Sequence, residues 1–436
     1  MMRALVIGDL EATRMTCALL TERGVQVVHL LQPSDVELQD QLDTGIDAVA
    51  VLVRGDVTAL RYVLLVEQIR PGVRLVATVF DRTLSERLRD VVPNCTVRSP
   101  ADIAVPSIVA ACLGGGTLAV DLTGPEPRRL LRDAEGDLRF VPYHASRRGL
   151  LSRVRDSIGQ FRVHDDATRV LLLGLAALLL VLLTDWLLTA TVLHQSLAES
   201  LYAATRVVTT VGPGDADLHG RTWYLVLASL FMLFTVIVTA VFTAGVVDRV
   251  RSTRSLALVG RRVPPRRDHV VIVGLGQVGL RLAIALRQLG VPVLVVEREA
   301  DAPNLRLART AQVPVLVAQG QDVDVLRRVG VERARAVAAM GSADLDNIEV
   351  AIAASAILPD IPIALRAGES AVIAETRSLF RIGEVRDVSG LTAASVVERM
   401  MGTVPVAVFA EGARLVAWDG EHETVTPHAS RCTCRT

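Results

Sequence analysis

The sequence predicts an α/β chain with a membrane α-helical insert: two doubly wound domains flanking two membrane helices, with a re-entrant loop between those helices. Three observations carry the expectation: two apolar runs long enough to cross a bilayer, a glycine fingerprint between a strand and a helix, and an internal repeat. At 436 residues the chain exceeds one ordinary domain, so several cores are expected. Formal charge balances at +0, which leaves no global field for nucleic acid and makes local charge decisive. Five cysteines, Cys17, Cys95, Cys112, Cys432 and Cys434, are scattered with no His cluster to complete a metal site, so reduced thiols are expected. The opening MMRALVIGDLEATR runs too quickly into acids to read as a signal peptide.

The first apolar run spans Val170 to Leu193 and the second Trp223 to Val247, each long enough as a helix to cross roughly 30 Å of hydrocarbon. Before the first lie Arg147, Arg148, Arg153, Arg155, Arg162 and Arg169; after the second lie Arg249, Arg251, Arg254, Arg261, Arg262, Arg266 and Arg267. The connection holds only Arg206 and Arg221. The positive-inside rule therefore places both flanks, and both termini, in the cytoplasm of a multi-pass plasma-membrane protein. Asp185 lies within the first run; in lipid it would cost about 2.5–3.5 kcal/mol, so it must reach protein or water.

Between the runs, Ser196 to Val208 has helix-compatible apolar spacing and leads straight into TTVGPGD, Thr209 to Asp215. A short helix followed by an extended glycine-bearing strand is a re-entrant design, tolerated at membrane depth only where protein or a water-filled cavity surrounds it. Span, short helix, TTVGxGD and span resemble the pore module of two-transmembrane potassium channels over about residues 165–250. The resemblance implies a filter of Thr209, Thr210, Val211, Gly212, Pro213, Gly214 and Asp215, with potassium held by the carbonyls of Thr210, Val211, Gly212 and Pro213, and four chains around one pore. Pro213 departs from the family's aromatic residue. Proline fixes φ at about −65° and cannot supply the bracing ring, which puts ion selectivity in question more than conduction. Arg206 is a second departure, expected to pair with Asp215 or Asp185 as filter support, because an uncompensated charge there is expensive.

After the Arg/Pro linker 248–267 comes HVVIVGLGQVGLRLAIALRQLGVPVLVVE. A strand (Val270 to Val273) enters the loop Gly274, Leu275, Gly276, Gln277, Val278, Gly279; a helix follows, and a second strand ends at Glu297, 18 residues past the third glycine. That context turns a weak motif into a Rossmann-like dinucleotide fingerprint, the glycines permitting the turn, the pyrophosphate approach and close helix packing. Glu297 suits ribose hydroxyls, while Arg298 keeps a 2′-phosphate possible. Over about residues 267–402 the chain resembles the regulator-of-potassium-conductance (RCK) domain, also called the Trk-type nucleotide-binding domain. The resemblance implies NAD(H) or an adenine nucleotide as regulatory ligand and extends the site to Gly320 and Asp322, with Asp344 and Asn347 in later loops.

Self-comparison aligns Ala4–Gly8 with Val270–Gly274 at a shift of 266, while Ala48, Pro71 and Gly114 align with Ala336, Pro359 and Gly402 at 288. The N-terminal copy is thus expected to lack about one βα unit. At the positions of Gly276, Gly279 and Glu297 it has Leu10, Thr13 and Leu31, a degenerate site that points to a structural partner domain. Gly136 and Gly420 match in the following tails.

These readings divide the chain into a degenerate RCK-like domain (1–146), a pore module (147–267; spans 170–193 and 223–247, pore helix 196–208, filter 209–215), and a C-terminal RCK domain with a short tail (268–436). The expected function is a homotetrameric, ligand-gated cation channel in the plasma membrane, with no enzymatic activity and no nucleic-acid partner. A nucleotide sensor without conduction is one alternative. A membrane-bound NAD-dependent oxidoreductase is the other, and it needs a substrate lobe and a proton-transfer residue that His269, ahead of the strand, does not supply.

Overall fold

The computed structural model describes residues 2–144, 166–192, 196–208, 222–255, 258–259, 267–368, 383–412 and 414–427. Contacts divide the chain into two units, Met1–Ser146 with Leu258–Thr436, and Arg147–Ala257. The expected filter, 209–215, and Arg221 lie outside the described residues.

In the N-terminal half, β1 (Arg3–Ile7), α1 (Glu11–Glu22), β2 (Gln26–Leu30), α2 (Asp35–Asp43), β3 (Ala48–Val51), α3 (Asp56–Ile69), β4 (Arg74–Thr78), α4 (Arg82–Val91), β5 (Cys95–Arg98) and α5 (Pro100–Leu113) alternate. The strands pair in parallel in the order β2-β1-β3-β4-β5. β3 reads AVAV and is buried throughout, because a strand covered on both faces has no solvent side to make polar. An antiparallel sheet of β6 (Thr117–Asp121), β7 (Arg128–Arg132) and β8 (Leu138–Pro142) follows.

The second unit contains α6 (Asp166–Val192), α7 (Leu197–Val208) and α8 (Thr222–Ser255). Leu173–Thr191 of α6 is long and apolar enough to cross a membrane; α8 holds a shorter apolar stretch, Met232–Ala244, among the described residues. A Cβ on Gly174, near the start of α6, would sit 3.2 Å from Cβ of Phe242, late in α8, so these parts of the two helices pack closely. Both extend past the expected spans: α6 starts at Asp166 rather than Val170, and α8 continues to Ser255 rather than Val247. Arginine is a good helix former whose stem packs while its head stays wet, so a basic flank need not end a helix. Ser196 caps α7 reciprocally: its hydroxyl accepts from the Glu199 N–H at 3.4 Å, and the Glu199 carboxylate accepts from the Ser196 N–H at 3.1 Å.

The C-terminal half contains β9 (Leu258–Val259), β10 (Val270–Val273), α9 (Gln277–Gln288), β11 (Val293–Glu297), α10 (Leu305–Thr310), β12 (Val315–Val317), α11 (Val323–Arg328), β13 (Ala336–Ala339), α12 (Asp344–Ile357), β14 (Ile363–Ala367), β15 (Glu384–Asp387) and α13 (Val388–Met401). Its sheet runs β15-β14-β13-β10-β11-β12-β9, parallel except for β9. The sequence places 258–259 in a linker. Instead, Val259 and Leu258 pair antiparallel with Val315 and Leu316, since two residues carry no period of their own but satisfy an open sheet edge. A second small antiparallel sheet, β16 (Ala407–Glu411), β17 (Arg414–Trp418) and β18 (Glu423–Pro427), completes the half.

The repeat is visible in register: Ala4 pairs with Ala48, and Val270 with Ala336. The N-terminal copy has no counterpart of β12, and a single helix, α2, stands where the C-terminal half has α10 and α11. Both small sheets turn alike, with Asp133 Oδ1 accepting the N–H of Glu135 and Asp137, and Asp419 Oδ1 accepting those of Glu421 and His422. The halves also exchange helices. Ala101, Ala104, Val105 and Ile108 of α5 share a core with Ile272, Leu282 and Val388 of the C-terminal half; Ala393, Val396, Val397 and Met400 of α13 share one with Ala4, Val6 and Leu20 of the N-terminal half. Arg23 pairs with buried Glu398 at 2.7 Å, and Arg74 donates to the Met400 carbonyl at 2.8 Å.

Candidate functional site

The strand order of the C-terminal sheet reverses between β10 and β13, and a crevice at the carboxyl ends of such strands is where an open α/β sheet binds ligands. Gly274 leaves β10 with φ +100°, and a Cβ there would come 2.9 Å from the Gly341 amide nitrogen beyond β13. At Gly279 a Cβ would lie 2.0 Å from the Gly274 carbonyl oxygen, so only glycine lets the first turn of α9 close onto the loop. Gly276 differs from both. A Cβ there meets nothing within 4 Å, and the residue is exposed. The N–H groups at the start of α9, which a helix leaves without internal partners, therefore border an open cradle of the kind that suits a pyrophosphate.

Glu297 closes β11 with one carboxylate oxygen accepting from the Leu275 N–H at 2.6 Å and the other from the Glu299 N–H at 3.0 Å. The acid thus touches the glycine loop itself, and each oxygen keeps a lone pair for a ribose hydroxyl. Arg298 is drawn toward Asp346 at 3.6 Å and Glu299 at 3.9 Å, so a 2′-phosphate would compete with two carboxylates for it. Asp322 caps α11 by accepting the Asp324 N–H at 2.8 Å, and a Cβ on Gly320 would meet Val273 Cγ1 at 2.2 Å. These two expected site residues shape the loop after β12. Asp344 accepts the Gly368 N–H, while Asn347 bonds both the N–H and the carbonyl of Gly341 and the Arg366 carbonyl, fastening the loops after β13 and β14.

Two residues escape sequence reasoning. Asn304 is buried and donates to the Leu275 carbonyl at 2.9 Å, clamping the glycine loop from a short helix. Arg366 brings a guanidinium to the Gly341 carbonyl at 3.3 Å; burial pushes its pKa down and the Asp344 carboxylate pulls it back. Their partners lie 29 and 25 residues away, beyond any local pattern. His269 sits at the amino end of β10, its Nε2 2.9 Å from the Val329 carbonyl, at the opposite edge of the sheet from the glycine loop.

In the N-terminal copy the same turn is filled. A Cβ on Gly8 would lie 1.9 Å from the Leu52 carbonyl oxygen, Thr13 donates to that oxygen at 3.0 Å, and His29 Nε2 lies 2.8 Å from the Gly8 carbonyl. Leu31 replaces the acid and is half exposed.

In the second unit, Asp185 of α6 is 1% exposed, and Thr189, Ser200, Ala204 and Thr235 are also buried. Neither of its carboxylate oxygens has a hydrogen-bond partner among the described residues, so Arg206 does not donate to it within this chain. The Arg206 guanidinium lies over the Tyr202 ring at 5.9 Å; Asp215, its other expected partner, lies outside the described residues. Trp186 Nε1 donates to the Leu197 carbonyl at 3.0 Å, tying α6 to the start of α7.

Residues 270–380 match the family model of the TrkA-N domain. Over 201 residues the chain is 20% identical to potassium channel protein 1 of Methanocaldococcus jannaschii, covering 45% of this chain and 60% of that protein. Over 199 residues it is 25% identical to an uncharacterized protein of Methanothermus fervidus, covering 44% of this chain and 31% of that protein. The chain thus spans less than two thirds of either relative. Among solved structures, the GsuK channel aligns with a TM-score of 0.51 at 14% identity, over 92% of this chain and 64% of that one. The GsuK RCK domain aligns at 0.50 and 14% over 92% and 77%, and the GsuK channel bound to NAD at 0.50 and 14% over 92% and 64%. At such identity the likeness speaks for the fold. Residues 270–380 therefore match the TrkA-N domain model, within a Rossmann-like α/β fold similar to that of the GsuK RCK domain.

Proposed function

We propose that this chain is a subunit of a cation channel that conducts potassium, whose C-terminal domain binds NAD(H) or an adenine nucleotide and thereby controls a pore formed by α6, α7, α8 and the TTVGPGD segment. The carrying observation is the open cradle at Gly276, with Glu297 beside it, in the same chain as an apolar helix of membrane length. The NAD carried by the similar GsuK channel supports the ligand class. Four chains surround the pore, because one loop cannot encircle an ion. The carbonyls of Thr210, Val211, Gly212 and Pro213 then replace the hydration shell of the ion, with Asp185 and Arg206 supporting the filter. A ligand opens or closes such a pore only through unequal affinity for its two states.

Purified protein in liposomes tests the reading. Potassium flux that changes with NAD(H), ADP or ATP, and a Gly276→Asp variant whose flux no longer responds, are expected. Pro213 favours one other outcome, a tethered sensor: nucleotide binding without flux of potassium or sodium at any nucleotide concentration replaces the channel by that reading.

A further inference from the structure

Arg281 lies just past the last glycine of the fingerprint, early in α9, and its guanidinium reaches groups of the N-terminal half. Its Nη2 donates to the Phe80 carbonyl at 2.8 Å, its Nη1 donates to the Ser99 hydroxyl, and its Nε is 3.2 Å from Asp102. Phe80 follows β4 at the carboxyl edge of the N-terminal sheet, Ser99 precedes α5, and Asp102 lies in the first turn of α5. The Arg281 side chain is 19% exposed. One guanidinium thus gathers three groups from the half whose own glycine loop is filled.

The repeat makes this contact one-sided. At a shift of 266 the residue matching Arg281 is Met15, which packs in the apolar core under α13. Only the helix with the intact fingerprint carries the tie. A cation beside the first turn of α5 is disfavoured by the helix dipole, and the Asp102 carboxylate and Ser99 hydroxyl offset that. A pyrophosphate seated at Gly276 would lie within about two helical turns of the same guanidinium, bringing a second anion into its field. A nucleotide seated there would share this cation with the N-terminal half.

We infer that Arg281 is the positioning residue through which occupancy of the Gly274–Gly279 loop is felt by the N-terminal half. The inference rests on the nucleotide reading above. It gives the filled N-terminal copy a task, that of responding to a ligand it does not bind.

Hydrogen exchange on the full chain in detergent micelles, with and without saturating NAD, tests it. In the unmutated protein NAD slows exchange in the glycine loop, and it slows the amides from Phe80 to Leu84 and from Ser99 to Ile103 by about tenfold. In Arg281→Gln the loop keeps its protection, while the N-terminal segments change by less than about twofold. Ser99→Ala, which leaves α9 untouched, gives a partial loss. Arg23→Gln, which breaks the separate Arg23–Glu398 pair, keeps the full response. Full N-terminal protection in Arg281→Gln, or protection confined to the loop in the unmutated chain, overturns the relay and spares the nucleotide reading. An unmutated chain in which NAD slows nothing overturns the nucleotide reading and the relay together.

Discussion

Three glycines in one loop have three different physical jobs, and substitution separates them. A side chain at Gly276 meets open space, so Gly276→Asp is expected to leave thermal stability unchanged while adding a negative charge where a pyrophosphate approaches. Titration with NAD should show affinity weaker by about a hundredfold, equivalent to about 2.7 kcal/mol. A methyl at Gly279 instead lies 2.0 Å from a carbonyl oxygen, and Gly279→Ala is expected to cost about 1–3 kcal/mol in denaturant unfolding, with α9 shifting to relieve the overlap. Asp121 offers a pH-dependent test at the same scale. Burial raises its carboxyl, but hydrogen bonds from the Thr123 N–H and hydroxyl and from Arg128 outweigh that and hold it below the usual carboxylate range. A depressed folded pKa means that the stabilisation is present above the unfolded value of about 3.9 and fades as pH falls through the folded value. Asp121→Asn should therefore lower the urea midpoint at neutral pH and flatten its decline on acidification; an unchanged acid limb would remove Asp121 from the account.

At the scale of elements, α5 belongs to one half by sequence and to the other by packing. Ile108 is fully buried in the core shared with the C-terminal half, so Ile108→Ala is expected to cost about 2–5 kcal/mol, and exchange in β3 and β13 should rise together. Cys112, at the end of the same helix, has its thiol pushed up to about 12 by burial. It should resist maleimide until that joint transition and react within it; labelling before either sheet opens would show that α5 leaves alone. The exchange also marks where reading the sequence stops. Strand, G-x-G-x-x-G and helix were legible because each step is local, and the lost βα unit was legible because two alignments differ by a fixed offset. The apolar faces of α5 and α13 announced burial but not the sheet that buries them. β9 was too short to announce anything, and Asn304, Arg366 and Arg281 act on partners far along the chain. Among the expected site residues, Asp322 also caps α11, a role its sequence position shares with many aspartates.

For the whole molecule, the exchange of α5 and α13 fixes an order of events during synthesis. The N-terminal sheet leaves the ribosome first, yet part of its covering, Ala393 to Met400, is made only after α6, α8 and the glycine loop have emerged. Until then the apolar surface around Val6 and Leu20 has no lid. A nascent chain in that condition is prone to stick to its neighbours, which makes the interval between the two halves a period of dependence on chaperones.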